Sequence, residues 1–472
     1  VGEHGTPLLL ASSDRATLWG DLVRAIEAYI GEVASLSVTP TASRDEIARL
    51  VTHFDFGSPM TPSRALAAAV EAMRTAQVHT GHPRYFGLFN PAPTTMGIAA
   101  DALVAALNPQ LATESHAPFA VAAERHLIRA FAERFGFPGD AEGTFTSGGA
   151  EANVSAMLLA LVRASPDFAR RGARALAGDP VVYASAEAHH SLEKGARMCG
   201  LGSDAVRRVG VDRDLRMDPA RLRDAIASDR RAGRLPVMIV ATLGTTNAGA
   251  IDPVRAVADV ASKERLWLHA DAAWGGLAAM VPELRAEIEG VERADSITFD
   301  AHKSLGVPMG AGMLITRHAA ALGAAYGVHA DYMPSGATRD PYAESPQWSR
   351  RFIGLKLLLS LAVAGWGGYE AALTREVELG RRLREKLVAT GWRLVNETPL
   401  PIACFVDATR EDGESGAFLS GVARAVSPKA WISVTRVAGG RRVLRACVTS
   451  ARTGEGDVDA LVEALGGARR SM

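Results

Sequence analysis

Cysteine is scarce. Three residues in 472, Cys199, Cys404 and Cys447, lie far apart with no C-x-x-C pair, so neither a disulfide framework nor a cysteine zinc site is supported. A reducing, cytoplasmic setting is expected. Net charge is lacking too: Lys+Arg and Asp+Glu both number 52, which removes the basic excess that phosphate-backbone binding needs, and no nucleic-acid partner is expected. Long hydrophobic runs are also missing. The longest, Leu355 to Trp366, has twelve residues and includes Lys356, short of the ~18–20 that span a bilayer, so no membrane span is expected. The first twenty residues carry Glu3, Asp14 and Arg15 in place of a basic start and apolar core, and no secretory signal is expected. Neither G-x-G-x-x-G nor G-x-x-x-x-G-K-[ST] occurs, which argues against a dinucleotide enzyme or a P-loop.

What is present is an average globular composition, 48% apolar and 22% charged, long enough for one large domain with attachments or for two to three domains. From Ser12, Leu18, Leu22, Ile26 and Tyr29 recur at helical spacing, and a second Ala-rich helical pattern runs from Ser63 to Val78. Together they predict an N-terminal helical arm over 1–88 that wraps a neighbour. The middle, 89–368, alternates β-rich runs with helical patterns, which predicts an α/β domain with a mainly parallel sheet flanked by helices. Its strands are expected at Thr144–Thr146, Val181–Ser185, Val237–Thr242, Leu266–Ala270, Ser296–Phe299 and Gly312–Thr316. Asp252 is expected to cap a helix that opens at Pro253. From 369 to 472 the pattern becomes that of a small C-terminal α+β domain, joined through a helix at Phe352–Leu361.

Ligands in open α/β sheets bind beyond the carboxyl ends of the strands, and four segments end strands there. Thr146-Ser147-Gly148-Gly149-Ala150-Glu151-Ala152-Asn153 opens a long helix, either as an ordinary turn or as a phosphate cradle of free N–H groups. Asp271, in His269-Ala270-Asp271-Ala272-Ala273-Trp274-Gly275-Gly276, either caps the next turn or opposes a cationic ligand, because a buried acid needs a partner. Lys303, in Phe299-Asp300-Ala301-His302-Lys303-Ser304, is either an exposed lysine or one placed to form a Schiff base. His189-His190 follows another strand. Without H-E-x-x-H or companion cysteines no metal is expected, and His189 is read as a stacking or hydrogen-bonding group. A glycine turn for phosphate, an acid for a cation and a lysine for an aldehyde, all on one sheet edge, together describe pyridoxal 5′-phosphate (PLP).

These segments resemble the group II pyridoxal-phosphate decarboxylases, which include aromatic-L-amino-acid, glutamate, cysteine-sulfinate and diaminobutyrate decarboxylases. His82-Pro83-Arg84-Tyr85-Phe86 and Thr242-Leu243-Gly244-Thr245-Thr246 extend the likeness along most of the chain. The resemblance implies PLP fold type I, the aspartate-aminotransferase-like architecture. It implies that Lys303 carries the cofactor, Asp271 meets the pyridinium nitrogen and His189 stacks on the ring. Ser147, Gly148, Gly149 and Ala150 would lie along the phosphate with His302 near it, and Thr246 and Ala273 would line the ring. A loop tyrosine returns the proton to Cα in this family. Tyr342 best matches it by its distance before Arg350-Arg351-Phe352, with Tyr332 as rival. Tyr85, Phe86 and Phe89 would offer aromatic surface to the substrate, while Arg84 and Arg445 leave its charge open. A homodimer with active sites at the interface is also implied.

The expected activity is decarboxylation of an L-amino acid to CO2 and an amine, with an aromatic substrate favoured and an acidic or diamino acid as the alternative. An aldehyde synthase or aminotransferase would use the same lysine and acid. A catalytically silent PLP-binding scaffold is the alternative outside enzymes.

Overall fold

The computed structural model describes residues 6, 8–328, 340–410, 415–427 and 429–472. Its larger sheet has seven strands: β1 (Glu142–Thr146), β2 (Pro180–Ser185), β3 (Val206–Val209), β4 (Leu235–Thr242), β5 (Trp267–Asp271), β6 (Ser296–Asp300) and β7 (Gly312–Thr316), in the order β1-β7-β6-β5-β4-β2-β3. β7 runs antiparallel to both its neighbours, and β1, β6, β5, β4, β2 and β3 share one direction. Every residue of β5, β6 and β7 is buried. Strands covered on both faces read as continuous apolar runs, which is why their positions follow from sequence. β3 was not expected. Its sequence, Val-Arg-Arg-Val, places two half-buried arginines on an edge strand and hides the pattern.

The arm holds α1 (Ser12–Glu32), α2 (Arg44–Thr52) and α3 (Pro62–Thr75). α2 was not expected, because Pro40, Gly57 and Pro59 break the pattern around it. It is started by a capping box in which Ser43 N–H donates to Glu46 Oε2 (2.6 Å) and Glu46 N–H donates to Ser43 Oγ (3.3 Å). Between arm and sheet come α4 (Thr95–Leu107) and α5 (Pro118–Arg134), and α6 (Gly149–Ala164) follows β1 directly.

The smaller sheet, β8 (Trp392–Leu394), β9 (Ile402–Asp407), β10 (Ser433–Val437) and β11 (Arg441–Cys447), is antiparallel in the order β10-β11-β9-β8. Helices Ser415–Val426 and Glu455–Arg470 complete the expected α+β unit. The connector is longer than Phe352–Leu361. It runs over Leu355–Ala389 with a break at Gly365 (φ 64°, ψ 174°), so the boundary drawn at 368 falls inside it. Among the described residues this helix alone has the length and apolarity to cross a membrane. Its residues instead join two cores: Leu357, Leu373 and Val377 pack in the larger one, Leu379, Leu383 and Leu387 in the smaller.

Asp252 does not cap a helix. Helix Val254–Glu264 begins two residues later, and the fully buried Asp252 carboxylate accepts from Met217 N–H (2.7 Å) and Thr242 N–H (2.8 Å). Two backbone donors beside the sheet outcompete the helix end, because a buried amide left unpaired is costly. Burial pushes the Asp252 pKa up to about 7.

Candidate active site

Because β1, β2, β4, β5 and β6 point the same way, their carboxyl ends lie on one edge. β5 and β6 are adjacent there, with Asp271 opposite Thr242 on one side and Thr298 on the other. Asp271 is buried and its partners are neutral: Asn153 Nδ2 donates to Oδ2 (2.9 Å) and Ala273 N–H to Oδ1 (3.2 Å). Asn153 lies one helical turn beyond Gly149 in α6, on the side of that helix facing the sheet. Its Oδ1 accepts from Thr298 Oγ1 (2.8 Å) and lies 3.0 Å from His269 Nε2, and Nδ2 also donates to Ser191 Oγ (2.9 Å). His269 Nδ1 meets Ser296 Oγ (2.8 Å), to which Trp267 Nε1 donates (2.9 Å). A buried polar network of this kind fixes geometry when its members are bonded.

Lys303 stands one turn past the end of β6, with Nζ 3.0 Å from the buried Asp300 carboxylate. His189 presents an accessible ring, and its Nδ1 accepts from Ser191 N–H (3.1 Å). Burial by neighbouring atoms still lowers its pKa, while Asp271 and Asp300 pull it up and Lys303 adds to the lowering. His302 flanks the glycine turn, because a carbon added at Gly148 would come 3.4 Å from its ring; its Nδ1 accepts from Ala311 N–H (3.2 Å). A carbon added at Gly149 would lie 2.9 Å from Asp300 Oδ2 and 3.2 Å from the Ala273 side chain. The turn therefore admits no side chain at Gly149 and leaves backbone N–H groups at the start of a 16-residue helix, a place suited to an anion.

PLP fits this donor set. Lys303 would hold the aldehyde carbon, Asp271 would face the ring nitrogen, His189 would cover the ring, and Gly148 and Gly149 would meet the phosphate. Bound there, the cofactor supplies the sink for electrons released at the substrate's Cα.

Other expected residues are placed less simply. Ser147 is exposed, and its N–H (2.8 Å) and hydroxyl (2.7 Å) both donate to Glu151 Oε2, so a phosphate contact there requires Glu151 to release them. Ala150 is exposed in the first turn of α6 and offers no donor side chain. Thr246 is half-buried and its carbonyl accepts from Arg445 Nε (2.9 Å). Phe86 is fully buried in the smaller core and presents no surface to a substrate. Tyr85 is buried beside Trp431, its hydroxyl donating to Asn90 Oδ1 (3.0 Å). Phe89 stacks on Trp274 at 4.2 Å, with the Arg445 guanidinium 4.8 Å from its ring centre. Arg84 pairs with Asp457 (3.2 Å). Tyr342 is half-buried on Trp348 (4.9 Å between ring centres), its N–H donating to Ala112 O (3.1 Å). Tyr332 lies outside the described residues.

Asn153, His269 and Asp300 carry roles that the sequence reading left unassigned. The one available signal was spacing, since Asn153 follows Gly149 by four residues. No group of three or more metal-ligating side chains occurs among the described residues.

Burial depresses the pKa of His269 to about 4 against the pull of Asp271, and burial also lowers those of His189 and His302. An unfolded histidine protonates near pH ~6.5. At these histidines the unfolded chain therefore binds more protons between these values, and their contribution to stability falls as pH drops through that window, against the raised carboxyls of Asp252 and Glu376, which act in the opposite sense. Between pH ~7 and pH ~4.5 the thermal midpoint of the parent should therefore lose more than that of His269→Gln. Equal slopes would show that His269 takes no part.

The model of the pyridoxal-dependent decarboxylase conserved domain matches residues 57–407. Among curated proteins, L-2,4-diaminobutyrate decarboxylase of Rhizobium meliloti (strain 1021) is 32% identical over 80% of this chain and 76% of its own. Cysteine sulfinic acid decarboxylase of Mus musculus is 34% identical over 70% and 68%. Among solved structures, mouse CSAD superposes with a TM-score of 0.92 at 27% identity, over 98% of this chain and 100% of that one. Oryza sativa TDC with PLP and tryptamine does so with a TM-score of 0.91 at 25% identity, over 99% of both chains. With Lys303, Asp271 and His189 gathered on one sheet edge, the chain belongs to the group II pyridoxal-dependent decarboxylases of fold type I and is a PLP-dependent carboxy-lyase.

Proposed function

We propose that the substrate is an L-amino acid with a charged side chain, acidic or diamino, in place of the aromatic one first expected. The carrying observation for amino-acid decarboxylation is the placement of Lys303, Asp271 and His189 at carboxyl ends of strands in one sheet, and the relatives named for diaminobutyrate and cysteine sulfinic acid support the charged class. The residues that suggested aromatic recognition are engaged elsewhere: Phe86 is core, Tyr85 is locked to Asn90, and Phe89 is sandwiched near Trp274 and Arg445. Holoenzyme should release CO2 from 2,4-diaminobutyrate, cysteine sulfinate, aspartate or glutamate with kcat/KM roughly tenfold or more above tryptophan and tyrosine. Lys303→Ala should abolish turnover. Preference for an aromatic acid would overturn the substrate class, and full turnover by Lys303→Ala would overturn the site.

The donor that protonates Cα is a tyrosine from the segment before Arg350. Tyr342, held on its own chain by Trp348 and Ala112, is the sequence-based choice. Tyr342→Phe should slow turnover about 100-fold and raise the share of aldehyde formed in air. If Tyr332→Phe does this and Tyr342→Phe leaves rate and product ratio unchanged, the role passes to Tyr332.

The arm supports a homodimer. α1 runs for 21 residues without a buried side chain and exposes Trp19 and Val23, an apolar surface that a second copy would cover. Equilibrium sedimentation at micromolar concentration should give twice the 49.7 kDa chain mass, and Trp19→Asp with Val23→Asp should shift the protein toward monomer. A single species of chain mass in the unaltered protein would reject the assembly.

A further inference from the structure

Behind the turn that carries Lys303 lies a cavity of about 310 Å³, bounded by Ser304–Gly306, the segment after Pro91, the long helix Leu355–Ala389 and Thr449. Three polar side chains on its wall are more than nine-tenths buried: Tyr369 at 7% exposure, Glu376 at 6% and Thr449 at 4%. Among the described residues Thr449 Oγ1 makes no hydrogen bond, and the Tyr369 hydroxyl has Ser360 as its one polar neighbour. Ser360, beside the phenol, spends its own hydrogen on Lys356 O (2.7 Å) and meets Thr94 Oγ1 (2.7 Å). Among the described residues no cation or hydrogen-bond donor meets Glu376. Tyr369, Ala372, Leu373 and Glu376 all line the cavity, spaced at i, i+3, i+4 and i+7 on one helical face.

A buried acid and a buried hydroxyl without partners are each costly, and here they share with the Tyr369 phenol one space whose remaining wall is largely apolar. Water would satisfy the hydroxyls but brings no charge to the acid. The complementary group is a cation that carries an N–H donor and a small alkyl body. We propose that this cavity is a binding site for a small alkylammonium ion, its N–H directed to the Glu376 carboxylate, with Tyr369 and Thr449 beside it and its alkyl groups on Leu373 and Ala372. Burial alone pushes the Glu376 acid up to about 8, so without a counter-ion it rests as the neutral acid near pH ~7, and an ammonium beside it would favour the carboxylate. The site stands on its own lining and does not depend on which amino acid is decarboxylated.

Trimethylammonium is a suitable probe, since a tertiary amine has one N–H and cannot condense with the cofactor's aldehyde. Calorimetric titration of holoenzyme should show saturable binding below about 50 mM. Tetramethylammonium, with the same charge and no N–H, should bind roughly tenfold more weakly, and so should trimethylammonium to the isosteric Glu376→Gln variant. Tyr369→Phe should weaken binding about 2- to 10-fold and serves as the test if Glu376→Gln misfolds. Lys303→Ala, which disables the active site, should bind trimethylammonium as the parent does, so a failed substrate reading and a failed cavity reading are told apart. No binding at about 50 mM, undiminished binding to Glu376→Gln, equal affinity for the two ammonium ions, or loss of binding in Lys303→Ala would each overturn the assignment.

Discussion

The site depends on a buried carboxylate whose bonded partners are all neutral. Asp271 is held by an asparagine amide and a backbone N–H, and the histidine next in line, His269, is kept uncharged by burial. Such donors fix the position of the acid without cancelling its charge, so the charge is left for a cation outside the network. Lys303 is arranged in the opposite way. Its ammonium has a carboxylate, Asp300, at 3.0 Å, and the two acids therefore serve two different cations.

That arrangement relies on the sheet. Asp271 and Lys303 stand at neighbouring strand ends because β5 and β6 are adjacent, and Asn153 reaches Asp271 because α6 leaves β1 and crosses over both strands. The glycines serve the same approach. Gly149 lies against Asp300 and Ala273, and Gly312 against Gly148 and Asp300, with a carbon added at Gly312 only 2.6 Å from the Gly148 backbone. Strand ends, helix start and turn are packed so closely that no side chain fits between them.

The extent to which this was legible in the sequence follows from how local each feature is. Lys303, Asp271 and Gly148 could be found because each lies at or within three residues of the end of a strand that is itself legible, β6, β5 and β1. Asn153 and His269 could not be assigned, since their roles depend on which strands lie side by side, and order within a sheet is a non-local property. β3 was hidden by its two arginines, α2 by the punctuation around it, and the length of the connecting helix by Gly365, Gly367 and Gly368. Asp252 was misread for a related reason. Asp-Pro is a sound helix start in isolation, but tertiary contact offered its carboxylate two buried amides.

The aromatic residues after His82 show how a resemblance can mark the right place and leave the chemistry undecided. Tyr85 bridges to Trp431, and Phe86 donates its N–H to Trp431 O and accepts from Cys447 N–H, so this short segment is bonded to the small domain beside its sheet. Arg445 then fastens that sheet to the site. Its buried guanidinium donates to Gly87 O (2.7 Å) and Thr246 O (2.9 Å) and lies over Phe89, which stacks on Trp274. Hydrogen bonds from a charged donor contribute roughly 1.5–3 kcal/mol each, enough for this clamp to set how the small domain meets the cofactor edge. Arg445 also spends its charge on carbonyl dipoles, with no acid facing it among the described residues. The aromatic rings around it thus hold the small domain against the larger one.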